Sequence, residues 1–273
     1  MDLKPLLKRS IYSFDGSCNG LMCFNESFEE DDVYICNPAT REYIVLPKFE
    51  GKDMLDLLTG FGYIPSTNQY KVVRIHNTER DPNVGIIQVY TLGSGIGWRN
   101  AGTIDIKCVP RCTGAFANGA LHWVAFDGTI IVFHLADEKC SELHSPPRLI
   151  GTHCRYVGVL GGFLSVTYYR YPRGVDIWLL KKNEDNADLS WSKEFSFDSY
   201  IPQPFGIIKS GRLLCYEQHK IYCYDLETSS VKMDVSFGKF ISEAIPHKNT
   251  LFSLKEVHVY KLGMCYVFPV AIT

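Results

Sequence analysis

Six short apolar runs recur along the chain, each directly behind a small or polar turn dipeptide. The turns are Asn19-Gly20, Asn68-Gln69, Asn118-Gly119, Gly161-Gly162, Ser210-Gly211 and Lys248-Asn249. Behind them stand Leu21-Met22-Cys23-Phe24, Tyr70-Lys71-Val72-Val73, Ala120-Leu121-His122-Trp123-Val124, Phe163-Leu164-Ser165-Val166, Leu213-Leu214-Cys215-Tyr216 and Leu251-Phe252. Dipeptides of this kind reach positive φ at low cost and close two-residue hairpins whose twist suits the strands. The repeat length is roughly 45 residues, that of a four-stranded propeller blade.

A second apolar strand follows in each unit, as in Val33-Tyr34-Ile35-Cys36, Ile130-Ile131-Val132-Phe133 and Ile221-Tyr222-Cys223-Tyr224. Polar turns such as Asn37-Pro38-Ala39-Thr40 and Ala136-Asp137-Glu138-Lys139 lead to a third. A fourth strand-like stretch precedes each hairpin turn, as in Thr113-Gly114-Ala115-Phe116-Ala117. Four strands per unit and no sustained helical period predict an all-β, six-bladed propeller of antiparallel blades. It is read as a single domain over residues 1–273. An open sandwich would not need so regular a repeat. Residues 52–58 read as a helical turn or a loop. Either Met264-Cys265-Tyr266-Val267-Phe268 or the segment near Leu6 to Ile11 supplies the closing strand.

With the strands of a blade labelled A to D, the recurrent turns are A–B hairpins, and those of the Asn37-Pro38 type are C–D hairpins. The B–C and D–A connections at the opposite end are longer and more varied. Loops of varied length on a rigid scaffold are where binding concentrates.

Composition narrows the function classes. The formal net charge of −2 gives no general pull towards nucleic acid or anionic membrane. No apolar run approaches the roughly 20 residues of a membrane span. The start, Met1-Asp2-Leu3-Lys4-Pro5, carries no secretory apolar region. Several of the 10 cysteines, among them Cys23, Cys36, Cys215 and Cys223, lie inside strand-like runs. They read as free thiols in a reducing compartment, cytoplasm or nucleus.

These residues resemble a known family. Cys18-Asn19-Gly20-Leu21-Met22-Cys23, Cys36-Asn37-Pro38-Ala39-Thr40-Arg41-Glu42-Tyr43 and Leu46-Pro47 are similar to the opening of the plant F-box-associated domain. The resemblance continues, in the family's order, through Gly60-Phe61-Gly62-Tyr63, Asn68-Gln69-Tyr70-Lys71-Val72-Val73-Arg74, Val89-Tyr90, Gly119-Ala120-Leu121-His122-Trp123 and Ile177-Trp178-Leu179-Leu180. It implies a kelch-like propeller that recruits a target protein to a Skp–cullin–F-box ubiquitin ligase. The family's N-terminal F-box has no counterpart in these residues. Skp-type adaptor and cullin are therefore expected as partners only where an F-box is supplied outside this chain. A form without it would act as a decoy or scaffold.

The remaining motifs weigh against chemistry. Cys140-x3-His144 with His153-Cys154, and Cys108-x3-Cys112, have metal-ligating residue types but lie across Pro-containing loops, so neither reads as a metal site. Gly93-Ser94-Gly95-Ile96-Gly97 lacks the following helix that a phosphate loop or nucleophile elbow needs, and reads as a C–D hairpin. Glu29-Glu30-Asp31-Asp32 is consecutive rather than facing, as in a solvated loop. His122-Trp123 and Trp178 read as core aromatics. No catalytic residue, metal or cofactor is expected. A propeller enzyme such as a glycosidase would need convergent carboxylates near the axis. Tyr169, Arg170, Tyr171 and Arg173, running out of a B strand and mixing the residues enriched at interface hot spots, are the leading partner contacts. His76, Arg80 and Asp81 are second.

Overall fold

A computed structural model of the chain describes residues 12–26, 32–48, 56–77, 81, 83–105, 112–125, 127–147, 152–170, 174–183, 188–225, 230–236, 244–256 and 262–264. Five successive sheets carry them. The first joins β1 (Tyr12–Cys18), β2 (Leu21–Glu26), β3 (Val33–Asn37) and β4 (Glu42–Val45). The second joins β5 (Asp56–Ile64), β6 (Gln69–Asn77), β7 (Val84–Thr91) and β8 (Trp98–Asp105), with β9 (Cys112–Thr113) added parallel to β5. The third is β10 (Ala115–Ala117), β11 (Ala120–Val124), β12 (Ile130–His134) and β13 (Lys139–Leu143). The fourth is β14 (Thr152–Leu160), β15 (Phe163–Arg170), β16 (Val175–Lys182) and β17 (Leu189–Phe197). The fifth is β18 (Gln203–Ile207), β19 (Leu213–Glu217), β20 (Lys220–Asp225) and β21 (Ser230–Ser236). In each sheet four strands pair in chain order, the blade pattern of a β-propeller. A short β22 (Leu262–Met264) adds to the free edge of β4.

The blade count is corrected here from six to five among the described residues. The first five recurrent turns all close A–B hairpins, and at Asn19-Gly20, Asn118-Gly119 and Gly161-Gly162 both residues have positive φ. The sixth does not. Residues 244–253 run without a ladder into a 3-10 turn at Leu254–Glu256. The backbone groups a neighbouring strand would have paired are taken by side chains of the first sheet. Asn37 donates its amide to the carbonyls of Thr250 (3.1 Å) and Phe252 (2.6 Å). The Glu42 carboxylate accepts from the Leu254 backbone N–H at 2.7 Å and from Ser253 Oγ. Ser17 Oγ meets His247 Nδ1 at 2.9 Å. Residues 52–55 lie outside the described residues, and 56–58 open β5 rather than a helical turn.

This strap sits tightly. A Cβ on Gly20 would come within 1.9 Å of Thr250 Cγ2, so the A–B turn and the strap meet with only a hydrogen between them. Glu42→Ala removes the fastener, at a cost of about 1–3 kcal/mol for the stranded donors. Trypsin should then cut at Lys248 and Lys255 markedly faster than in the wild type. Equal cleavage rates would show that Glu42 does not hold the strap.

The chain forms two compact units: residues 1–126, 132–141 and 247–273, and residues 127–131 and 142–246. In the first, the facing sides of the first two sheets bury Leu21, Cys23, Ile35, Phe61, Tyr70 and Val72, and Leu254 from the strap joins them. Tyr70 lies between Phe61 (5.9 Å) and Phe252 (5.5 Å). Lys71 donates to Leu135 O and to Glu138, which Arg99 also engages. Burial pulls the Glu138 pKa up, but the hydrogen bonds from Arg99 and Lys71 outweigh it and hold the carboxyl below its ordinary value. In the second unit, Val175, Ile177 and Leu179 pack with Leu213, Cys215 and Tyr224.

One irregularity recurs. Strand A carries a bulge in four sheets, between Phe14 and Gly16, Asp56 and Leu58, Cys154 and Tyr156, and Pro204 and Gly206. A bulge bends its strand and raises the local twist.

Candidate protein-interaction site

Two polar clusters among the described residues bear on function, one closed and in the first unit, the other open to solvent and in the second. The closed one centres on Asp15, the bulged residue of β1, which is 1% exposed. Its carboxylate accepts from Thr59 Oγ1 at 2.6 Å, from Asn25 Nδ2 at 3.2 Å and from the Cys23 thiol at 3.9 Å. The Thr59 carbonyl in turn accepts from Trp123 Nε1 and from the Gly114 backbone N–H. Burial, then the nearby Asp15 charge, pushes the Cys23 thiol well above its ordinary pKa. Thiol and carboxylate are both structural here: the first stays protonated and the second is occupied by donors.

His76 lies on β6 and is 2% exposed, so its side chain is not on the surface. Sequence reading places it in a loop, but the strand continues through Asn77. Asp81 is exposed, and Arg80 lies outside the described residues. Burial lowers the pKa values of both His76 and His122 from 6.5. A base whose folded pKa is depressed gives up stability when the unfolded chain takes protons more readily. The contribution is complete above pH 6.5 and is lost as pH falls below it. The thermal midpoint should therefore drop between pH 7.5 and 5.5, and less so in His122→Gln. A flat profile would contradict neutral burial of these rings.

The open site lies in the second unit, at the B–C end of the fourth and fifth sheets. Tyr169 and Arg170 are the last residues of β15 and face opposite ways. Arg170 closes its own turn. Its guanidinium donates to Phe197 O at 2.8 Å and lies 3.5 Å from both Asp176 and Asp198. Gly174, at φ +132, passes beneath it, and a Cβ there would come within 2.9 Å of Arg170 Cζ. Ser196 donates to the same Asp176 carboxylate at 2.6 Å, and Lys193 stands 3.6 Å from it. Arg170 thus ties the end of β15 to β16 and β17.

Tyr169 stands beside Tyr200 of the D–A connection, ring centroids 6.0 Å apart. Tyr200 is 55% exposed and donates its hydroxyl to Glu217 Oε1 at 3.1 Å. Glu217 ends β19, and the turn behind it holds Gln218 at φ +53. Two tyrosines, one half-buried and one exposed, with a carboxylate beside them, make an aromatic patch with hydrogen-bonding edges. Rings of this kind give large contact area at low entropic cost. Tyr171 and Arg173 lie outside the described residues. The sequence does not single out Tyr200 or Glu217, because nothing in Asp198-Ser199-Tyr200-Ile201-Pro202 marks which side chain the fold leaves outside.

The other motifs fall as structural pieces. Gly93, Gly95 and Gly97 all have positive φ in the β7–β8 turn, where Ser94 N donates to Thr91 O. Trp123 is 1% exposed. Cys140 and His144 are described, Cys108 is not, and among the described residues no three His, Cys, Asp or Glu side chains converge as metal ligands do. Of the acidic run, only Asp32 is described, and it pairs with Lys48 at 3.7 Å.

Comparison with known proteins adds an independent observation. A family model described as the F-box associated beta propeller domain matches residues 6–252. An F-box protein of Arabidopsis thaliana is 32% identical over 277 residues, covering 85% of this chain and 66% of the relative. An F-box/kelch-repeat protein of the same plant is 26% identical over 267 residues, covering 93% of this chain and 69% of the relative. The chain thus spans about two thirds of the length of these relatives. Among solved structures, an oligogalacturonate lyase from Vibrio parahaemolyticus aligns at a TM-score of 0.48 and 10% identity, over 82% of this chain and 78% of the other, too slight a likeness to bear on fold or chemistry.

Proposed function

Because this chain belongs to the F-box associated β-propeller family, we propose that it is a substrate-recognition module, binding a target protein for ubiquitination by a Skp–cullin–F-box ligase. The family match over residues 6–252 carries this reading. Contacts to a Skp-type adaptor and cullin belong to an F-box segment of a whole protein, and none is assigned to the described residues. The family match supports a non-catalytic module, and the most buried carboxylate among the described residues, Asp15, is engaged by Asn25, Thr59 and Cys23. It works in the cytoplasm or nucleus, where its cysteines stay reduced.

Recognition is assigned to the Tyr169–Tyr200–Glu217 patch, with Arg170 as the brace that sets Tyr169 in place. In plant cells, the chain fused to a biotin ligase would be compared with its Tyr169→Ala/Tyr200→Ala variant. Loss of a defined subset of labelled proteins is expected, at an unchanged thermal midpoint for Tyr200→Ala alone. Identical labelled sets would remove the patch from recognition.

A further inference from the structure

On the same face of β15 as Tyr169, and deeper in the second unit, stand Thr167 and Ser165. They are 0% and 1% exposed. Neither hydroxyl has a hydrogen-bond partner among the described residues. Their cross-strand neighbours on β16 are Ile177 and Leu179, both in the apolar core of this unit. On β14, Tyr156 is opposite Thr167 and Gly158 opposite Ser165. The Tyr156 ring lies over Gly158, where a Cβ would come within 2.4 Å of its Cε1. Two adjacent hydroxyls are thus removed from bulk solvent without a protein partner.

A folded chain has reason to avoid this. Most buried polar groups are paired, and each exception calls for an explanation such as a ligand, a water or a functional role. Alanine and valine would fill the same positions without the loss. The row also has a direction. From the Tyr200 end, Tyr169, Thr167 and Ser165 follow one another along β15 at about 7 Å per step of two residues, and Phe163 beyond them is exposed again. At the mouth stands Tyr200, held on its outer side by a hydrogen bond to Glu217.

We propose that Thr167 and Ser165 form the polar floor of a slot behind the Tyr169–Tyr200 pair, which receives one neutral hydrogen-bonding group of the bound protein, an amide or hydroxyl side chain. This rests on the patch being a recognition surface and adds the chemistry of its anchor. The slot opens when the exposed Tyr200 ring swings outward. The anchor is uncharged, because the neighbours Ile177 and Leu179 offer no countercharge and a desolvated ion would find none. A hydroxyl can both donate and accept, so the floor satisfies an amide at both of its ends.

The test uses a phage-displayed library of random twelve-residue peptides selected on the full chain, with affinities measured by fluorescence polarisation. Thr167→Val and Ser165→Ala keep shape and cost no hydrogen bond within the fold, so both variants should unfold at or above the wild-type temperature. Selected peptides should share Asn, Gln, Ser or Thr at one fixed position. Alanine at that position, or Thr167→Val in the protein, should each weaken binding about tenfold, the loss of one desolvated hydrogen bond. Peptides weakened by Tyr200→Ala but indifferent to Thr167→Val and Ser165→Ala would overturn the slot and leave the patch. A library that yields no binder, or binders indifferent to Tyr200→Ala as well, would overturn both. A clear fall in unfolding temperature for Thr167→Val would also overturn the proposal, since the hydroxyl would then be satisfied inside the fold by bound water.

Discussion

Asp15→Ala should destabilise the protein by about 3–5 kcal/mol, because two or three buried donors lose their acceptor at about 1–3 kcal/mol each. Thr59 and Asn25 both aim at this carboxylate from other strands, and neither is left near water. Asp15→Asn should cost less, about 1–2 kcal/mol, since one acceptor oxygen remains. Urea unfolding followed by tryptophan fluorescence measures both. A loss under about 1 kcal/mol for the alanine variant would mean that the carboxylate does not hold the strands together.

Trp123→Ala comes next, at about 3–5 kcal/mol for a large aromatic removed from a close-packed core. Its ring fills the space that Gly114 leaves open, where a Cβ would come within 2.7 Å of Cε2. Its indole N–H donates to Thr59 O at 2.9 Å. Trp123 and Asp15 therefore lean on one residue, the first through its carbonyl and the second through its hydroxyl. Their effects should not add, and the double variant should fall short of the sum by about 0.5–3 kcal/mol, the range seen for coupled neighbours. Strict additivity would show that Thr59 transmits nothing between them.

The hairpins were readable in the sequence because an A–B turn needs positive φ and few residues supply it; Asn19, Gly20, Asn118 and Gly119 do. The sixth turn looked like the others because a turn dipeptide before two apolar residues is a local pattern. A ladder is not local. Whether Leu251 and Phe252 pair as a strand depends on Asn37 and Glu42, more than 200 residues earlier, which take the backbone groups first. The same limit applies to the proposed patch. Tyr169 and Arg170 were legible as a pair, but Arg170 turned inward because Asp176 lies across the turn to receive it. An Asp inside the apolar strand Val175-Asp176-Ile177-Trp178 was the available signal. Tyr200 joins the proposed patch only through its placement beside Tyr169.

The bulge that recurs in strand A is also an address. In the four sheets that have it, the residue it leaves out of register is Asp15, Leu57, Arg155 or Phe205. An acid, an aliphatic, a base and an aromatic occupy one structural position. Pairing on both sides continues regardless, because a residue outside the ladder does not decide which side chains its neighbours present. Such a position can carry a different side-chain chemistry in each blade while the strand pairing on either side is kept. In the four bulged strands this is where blades of one fold differ in chemistry, and at Asp15 that chemistry ties β1 to β2 and β5.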